Sequence, residues 1–353
     1  MRRIFSYSNY LFVYSSLIDL RPSISPQSEF HLIQRPATLA FDFFPSTSHY
    51  KYRPLPNLFC SRHSIFLPND TVFPKIFHRK MAGIVVVFDF DKTIIDLDSD
   101  NWVVDELGAT DLFNELLPTM PWNSLMDRMM AELHAQGKTI DDIVEVLKRA
   151  PIHPDVVPAI RAAHALGCDL RIVSDANMFF IETILDHLGI RECFSEINTN
   201  PGYVDEEGRL RIFPIHDFHK SSHGCNLCPP NMCKGLVMER IQASLMAEGK
   251  KKRFIYLGDG SGDYCPSLKL GEGDFLMPRK NFPLWDLISQ NPLVIKAEIH
   301  EWSDGEELAR ILLNLIKTIS MAENAQFLAP QDMGVPVYEA LPSPTPKPAM
   351  VAN

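Results

Sequence analysis

At 353 residues, 46% hydrophobic and 22% charged, the chain is long enough to bury a full core and is neither fibrous nor disordered throughout. The formal net charge of −10 is uneven: residues 1–80 hold ten Lys/Arg against four Asp/Glu, or +6, so the other 273 residues carry −16. That balance excludes a duplex-wide basic face and with it nucleic acid as a partner. No run of about 18 apolar residues occurs, so neither a transmembrane helix nor a membrane partner is predicted. Seven cysteines at irregular spacing do not make a secreted disulfide framework, and reduced thiols in an intracellular compartment are expected.

Residues 1–80 are rich in Ser, Pro, Phe, Arg and His and show no sustained periodicity. They read as an extension upstream of a domain that starts at Met81, in a cytoplasmic protein. The alternative is a plastid or mitochondrial transit peptide, which shares the acid-poor, Arg- and Ser-containing composition but calls for a clean amphipathic helix. From 84 to 90 a buried aliphatic strand, IVVVFDF, runs into Asp89, Asp91, Lys92 and Thr93. Residues 101–150 hold short helical patterns broken at Gly108, Pro118, Pro121 and Gly137. A helix over 154–166 leads to the strand CDLRIVS, which ends at Ser174. A second helix over 178–188 leads to a strand near 195–198. GYVDEEGRLRI reads as a hairpin with Glu207 and Gly208 in its turn. A Cys- and His-rich loop over 216–233 precedes a helix over 234–247. RFIYLGDGSGD and GDFLM are strands, and a last helix covers 306–319. From 321 the chain is read as a proline-rich disordered tail.

Alternating strands and helices with continuously apolar strands predict an α/β fold, a doubly wound parallel sheet covered on both faces. The segment at about 97–151 is read as a small helical cap inserted after the first strand, within a core over 81–320. Ligands of such sheets bind at the carboxyl ends of strands, where Asp89, Ser174 and Asp259 fall. Two buried carboxylates as close as Asp89 and Asp91 require a compensating cation or a shared proton. Mg2+ suits them, being hard and oxygen-seeking and keeping room for a substrate phosphate. The Ser174 hydroxyl suits a phosphate oxygen, and Lys234 at a helix start favours an anion. Asp259 and Asp263 stand four apart around glycines that let the backbone turn tightly.

FDFDKT, IVSDAN, MCKG and GDGSGD together resemble the four motifs of haloacid dehalogenase-type phosphatases, in that family's order, over about residues 84–290. DLDSD at 96–100, SDAN at 174–177, CNLCPPNMCKG and GDGSGDYCP further resemble the phosphoethanolamine/phosphocholine phosphatase subfamily. Its plant-type members include enzymes acting on pyrophosphate or thiamine monophosphate. The resemblance implies that Asp89 is the nucleophile, forming an aspartyl phosphate. It implies that Asp91 is the acid and base, with its main-chain carbonyl on magnesium. Thr93 and Ser174 would hold phosphoryl oxygens, and Lys234 would offset charge and steady Asp89. Asp259 would ligate magnesium, and Asp263 would be a ligand or would orient one. Lys92 departs from the acidic residue common there in relatives, and its side chain is expected to point away from the phosphate.

The substrate expected is a small phosphate ester. Asp100 and Asp175 would give the cap side of the pocket negative charge for an ammonium head group, and Asn177 would line the same pocket. This favours phosphocholine or phosphoethanolamine over pyrophosphate, thiamine monophosphate or pyridoxal phosphate. The bland reading of Asp96, Asp98 and Asp100 is a solvated loop. Trp102 or Trp122 would add a cation–π face unless it packs in the core. A silent phosphate-binding regulatory protein would need a missing nucleophile or metal ligand, and none is missing. Cys225, Cys228 and Cys233, near His216, His219 and His223, lack the second regular pair of a zinc ribbon. They read as thiols packing a loop, with a structural zinc as the alternative.

Overall fold

Five consecutive apolar residues make β1 (Ile84–Phe88), and all five are buried, so this strand must lie inside a sheet covered on both faces. In the computed structural model, which describes residues 83–247, 249 and 252–328, that is its position. After β1 come α1 (Ser99–Glu106), α2 (Thr110–Leu116), α3 (Trp122–Ala135), α4 (Ile140–Leu147) and α5 (Val156–Ala165). Next are β2 (Asp169–Asn177), α6 (Met178–Leu188), β3 (Phe194–Asn200) and the pair β4 (Gly202–Val204) and β5 (Leu210–Ile212). The chain continues through α7 (Lys234–Ala247), β6 (Arg253–Gly258), α8 (Tyr264–Ser267), β7 (Phe275–Pro278), α9 (Pro283–Gln290), β8 (Glu298–Ile299) and α10 (Gly305–Leu328).

Six strands form one parallel sheet in the order β3-β2-β1-β6-β7-β8. Alternation along β1 divides the interior in two. Ile84, Val86 and Phe88 face a core shared with α5, α6, α10 and the helices α1–α4. Val85 and Val87 face a second core with Met238, Ile241 and Leu245 of α7 and Leu284 and Ile288 of α9. Removing each such side chain from water contributes about 1.5–3 kcal/mol. From β1 the chain winds to β2 and β3 on one side, then returns across β1 to β6 on the other. The crevice at this reversal, over the carboxyl ends of β1, β2 and β6, is where a doubly wound sheet binds ligands.

The span between β1 and α5 is filled by four α-helices, with Trp102 Nε1 of α1 bonded to the Val146 carbonyl of α4 at 3.0 Å. The β4–β5 hairpin, absent from the expected cap, joins them. Both guanidinium arms of Arg211 meet the Asp127 carboxylate of α3 at 2.9 Å, and the Ile212 N–H donates to the same group at 2.9 Å. The tail boundary also moves. α10 continues past 321 to Leu328, because MAENAQFL contains no helix breaker before Pro330. Residues 1–80, the subject of the extension and transit readings, lie outside the described residues, as do 329–353. No helix among the described residues is long and apolar enough to cross a membrane.

Candidate active site

The chain leaves β1 through Asp89, whose N–H donates to the Leu257 carbonyl of β6 at 2.9 Å, and turns back at Lys92, a non-glycine residue at φ 54°. Left-handed backbone in a residue with a side chain is a local cost that functional sites characteristically carry. Here it lets three residues after Phe90 return toward the strand end: the Thr93, Ile94 and Ile95 N–H groups all donate to the Phe90 carbonyl. The Lys92 side chain pairs with Asp98 at 3.4 Å, and its charge also reaches Asp259.

Asp89, Asp259 and Asp263 bring carboxylate oxygens within 4.8 Å of one another, all three buried. Between them enters Lys234, 3% exposed at the first turn of α7, with Nζ 2.9 Å from Asp89 Oδ1 and 2.8 Å from Asp263 Oδ1. Asp175, half exposed, lies 4.0 Å from the same Nζ. Burial, followed by the charge of Asp263, raises Asp89 well above the ordinary carboxylate range, and the same two causes push Asp259 up to about 7. Burial alone would lower Lys234, but Asp263 and Asp89 outweigh it and raise its pKa. Lys234 is the one cation set between the three enclosed carboxylates, with Lys92 and Arg279 also acting on Asp259, and the trio offers only hard oxygen donors. This donor set fits Mg2+.

Asp263 has a distinct place in this trio. Its Oδ1 accepts from Lys234 and from the Tyr256 hydroxyl at 2.7 Å, and its Oδ2 accepts from the Asp259 and Gly260 N–H groups at 3.1 and 3.0 Å. Four donors occupy the roughly four lone-pair sites of a carboxylate. Gly258 must be glycine for this arrangement, since a Cβ there would stand 2.5 Å from Asp263 Cγ. The Asp91 carboxylate is not among the trio. It turns toward α1, where Oδ2 accepts from Ser99 Oγ at 3.1 Å and Oδ1 is buried without a partner. Burial, then Asp98 and Asp100, raises its pKa well above the usual value.

Seven buried side-chain polar atoms among the described residues lack a hydrogen-bond partner, and four belong to this crevice: Asp91 Oδ1, Thr93 Oγ1, Asp100 Oδ1 and Asn177 Nδ2. Such atoms are rare in folded proteins, so their clustering marks a place built for something else to bind. Ser174 is fully buried and its Oγ accepts from the Ala176 N–H at 3.3 Å, leaving its own proton to donate. Asn177 Oδ1 caps α6 through the Phe180 N–H at 3.0 Å, which fixes the side chain with its amide group free.

The acidic run divides by partner. Asp96 pairs with Arg279 at 3.2 Å, and Asp98 caps α1 through the Asn101 N–H and holds Lys92. Asp100 is only 5% exposed and is met on one oxygen by Trp122 Nε1 at 2.7 Å. Burial, then Asp98, pushes it up to about 8; the Trp122 bond and the nearby Asn177 amide temper the rise without satisfying Oδ1. Trp122 therefore serves as a hydrogen-bond donor packed edge-on against Phe113, and Trp102 as a tie between α1 and α4.

Sequence reasoning missed three contributors. Tyr256 steadies Asp263, and its signal was a hydroxyl inside an otherwise apolar strand. Ser99 orients Asp91, within the DLDSD run but masked by its acids. Arg279 follows β7, donates to the Lys92 carbonyl at 2.6 Å and stacks over Phe282; a cation at a fourth parallel strand's carboxyl end was its signal.

The family described as "Putative Phosphatase" matches residues 84–316. Over 247 residues the chain is 69% identical to inorganic pyrophosphatase 2 of Arabidopsis thaliana, covering 70% of this chain and 88% of that protein. It is 58% identical over 245 residues to a thiamine phosphate phosphatase-like protein of the same plant, covering 69% of this chain and 100% of the relative. To the phosphoethanolamine/phosphocholine phosphatase of Gallus gallus it is 32% identical over 244 residues, 66% of this chain and 89% of the relative.

Proposed function

Because the chain belongs to the haloacid dehalogenase-type phosphatases, in the branch that contains the phosphoethanolamine/phosphocholine phosphatases, we propose that it is a Mg2+-dependent hydrolase of small phosphomonoesters whose leaving groups carry an ammonium. Asp89 attacks phosphorus, forming an Asp89–phosphorus bond as the bond to the leaving oxygen breaks. Asp91, held neutral by its buried surroundings and oriented by Ser99, gives that oxygen its proton. It then takes a proton from the water that cleaves the acyl phosphate, restoring Asp89. Thr93, Ser174 and Asn177 offer donors to the phosphoryl oxygens, and Lys234 balances their charge beside Asp89. Mg2+ held by Asp89, Asp259 and the Asp91 main chain would supply further positive charge at the transferring group, with Asp263 fixing Lys234 and the Asp259 loop.

The observation that carries the substrate class is Asp100. A buried carboxyl with one unpartnered oxygen, on the cap side of the crevice, complements a leaving group whose ammonium favours its ionised form over the protonated one that burial imposes on the empty site. A second reading, pyrophosphate as substrate, is favoured by the name of the relative 69% identical to this chain. Phosphate release by the full chain with Mg2+ separates them. For phosphocholine or phosphoethanolamine kcat/KM is expected to exceed that for pyrophosphate by about tenfold or more. Asp100→Asn should remove about 2 kcal/mol of that preference, as loss of a buried charge partner does. Higher kcat/KM for pyrophosphate, unchanged by Asp100→Asn, would establish the second reading instead.

A further inference from the structure

Behind the phosphate crevice lie four thiols that the phosphatase chemistry does not use. Cys225 and Cys228 stand in the 213–233 loop, Cys233 immediately precedes Lys234, and Cys265 is the second residue of α8, two after Asp263. All four Sγ atoms lie within 4.8 Å of one another, with Cys225–Cys265 at 3.7 Å and Cys233–Cys265 at 3.9 Å. These separations are far beyond a disulfide's roughly 2.05 Å bond. They match the edges of a thiolate tetrahedron: sulfurs about 2.3 Å from a central zinc stand about 3.8 Å apart. We propose that Cys225, Cys228, Cys233 and Cys265 bind one structural zinc ion.

Three further features fit. The Leu227 N–H points at Cys225 Sγ and the Leu236 N–H at Cys233 Sγ, each at 3.4 Å, the kind of backbone support that stabilises metal-bound thiolates. Residue 235 is glycine where a Cβ would collide with Cys265 Sγ, so the backbone of α7 approaches the cluster as closely as it can. The neighbouring histidines are otherwise engaged. His223 uses both ring nitrogens on the Cys225 N–H and the Pro229 carbonyl, and His216 Nε2 meets the Ser221 carbonyl. A closed set of four sulfurs leaves no position for substrate, so the site is structural.

Its place in the fold gives it a task. The 213–233 segment forms no helix or strand and exposes Phe213, Ile215 and Leu227, so few apolar contacts hold it. A connection of this length without secondary structure needs another source of order. Zinc would supply it, and would also clamp the start of α7, which carries Lys234, to the turn that carries Asp259 and Asp263. Four thiols lose their protons on binding, so affinity must fall steeply on acidification.

The test is elemental analysis of the purified full chain after gel filtration into metal-free, chelator-free buffer, which distinguishes zinc from magnesium directly. About one zinc per chain should remain, Cys225→Ser and Cys228→Ser should each lose most of it, and cobalt substitution of the unmutated chain should give the intense visible bands of tetrahedral thiolate ligation. The unmutated chain decides the matter even if the variants fold poorly. Four thiols that titrate freely without zinc release, a Cys225–Cys265 disulfide in peptide mass spectra, or zinc lost in Asp259→Asn but kept in Cys225→Ser would each overturn the assignment.

Discussion

The carboxylates at the heart of the crevice make a pH prediction whose sign follows from burial. Asp259 holds its proton up to about pH 7 in the folded chain without metal, and Asp100 up to about 8, whereas both release it near pH 4 when unfolded. The folded state therefore binds more protons across that window, and the metal-free chain loses stability as pH rises from about 4 through 7 to 8. Mg2+ competes with the proton on Asp259, so its stabilising effect should grow in the same direction. Thermal melts with and without Mg2+ should show a larger metal-induced rise at pH 8 than at pH 6. An equal rise at both would mean that the metal does not bind at the titrating trio.

Among the elements, the β4–β5 hairpin is predicted to matter as a strut of the helices α1–α4. The Asp127–Arg211 pair is bidentate and about three-quarters buried, and Asp127 also accepts a backbone N–H, so Asp127→Ala leaves three N–H donors unmatched. A loss of about 1–3 kcal/mol is expected, read as a Tm lower by several degrees, with KM raised more than kcat is lowered. A change in kcat alone would place the hairpin's influence on the chemistry and not on substrate binding. This strut also shows what the sequence does not disclose. β1, β2 and β6 are legible because each is an apolar run that ends in a polar motif, and α7 because such a motif opens it; the candidate residues Asp89, Ser174, Lys234 and Asp259 stand at those junctions. The contact of Asp127 with Arg211 joins residues 84 positions apart, and the gathering of Cys265 with Cys225, Cys228 and Cys233 spans about forty. Neither has a local signature. The division of Asp96, Asp98 and Asp100 into two paired acids and one unpaired acid likewise depends on Arg279 and Lys92, whose positions only the fold fixes.

In the molecule as a whole, a strongly acidic body meets a phosphorylated, anionic substrate, since residues 81–353 carry −16. Long-range charge therefore does not draw the substrate in, and in the proposed mechanism attraction comes from what the sheet's switch point concentrates: Lys234, the N–H groups after β1 and β2, and a divalent cation. The helices α1–α4 share one apolar core with the sheet, so the crevice is bounded by a single packed body on that side. The proposed mechanism converges on one nucleophile. The full chain should be mixed with Mg2+ and phosphocholine, quenched in acid during turnover, and weighed intact and as peptides beside Asp89→Asn. The account predicts a species heavier by one phosphoryl group, with the addition on the peptide holding Asp89. It predicts no such species in the variant, which should fold normally with turnover lower by about 10³-fold or more. Turnover near that of the unmutated chain in Asp89→Asn, or a phosphoryl group carried on another residue, would contradict it.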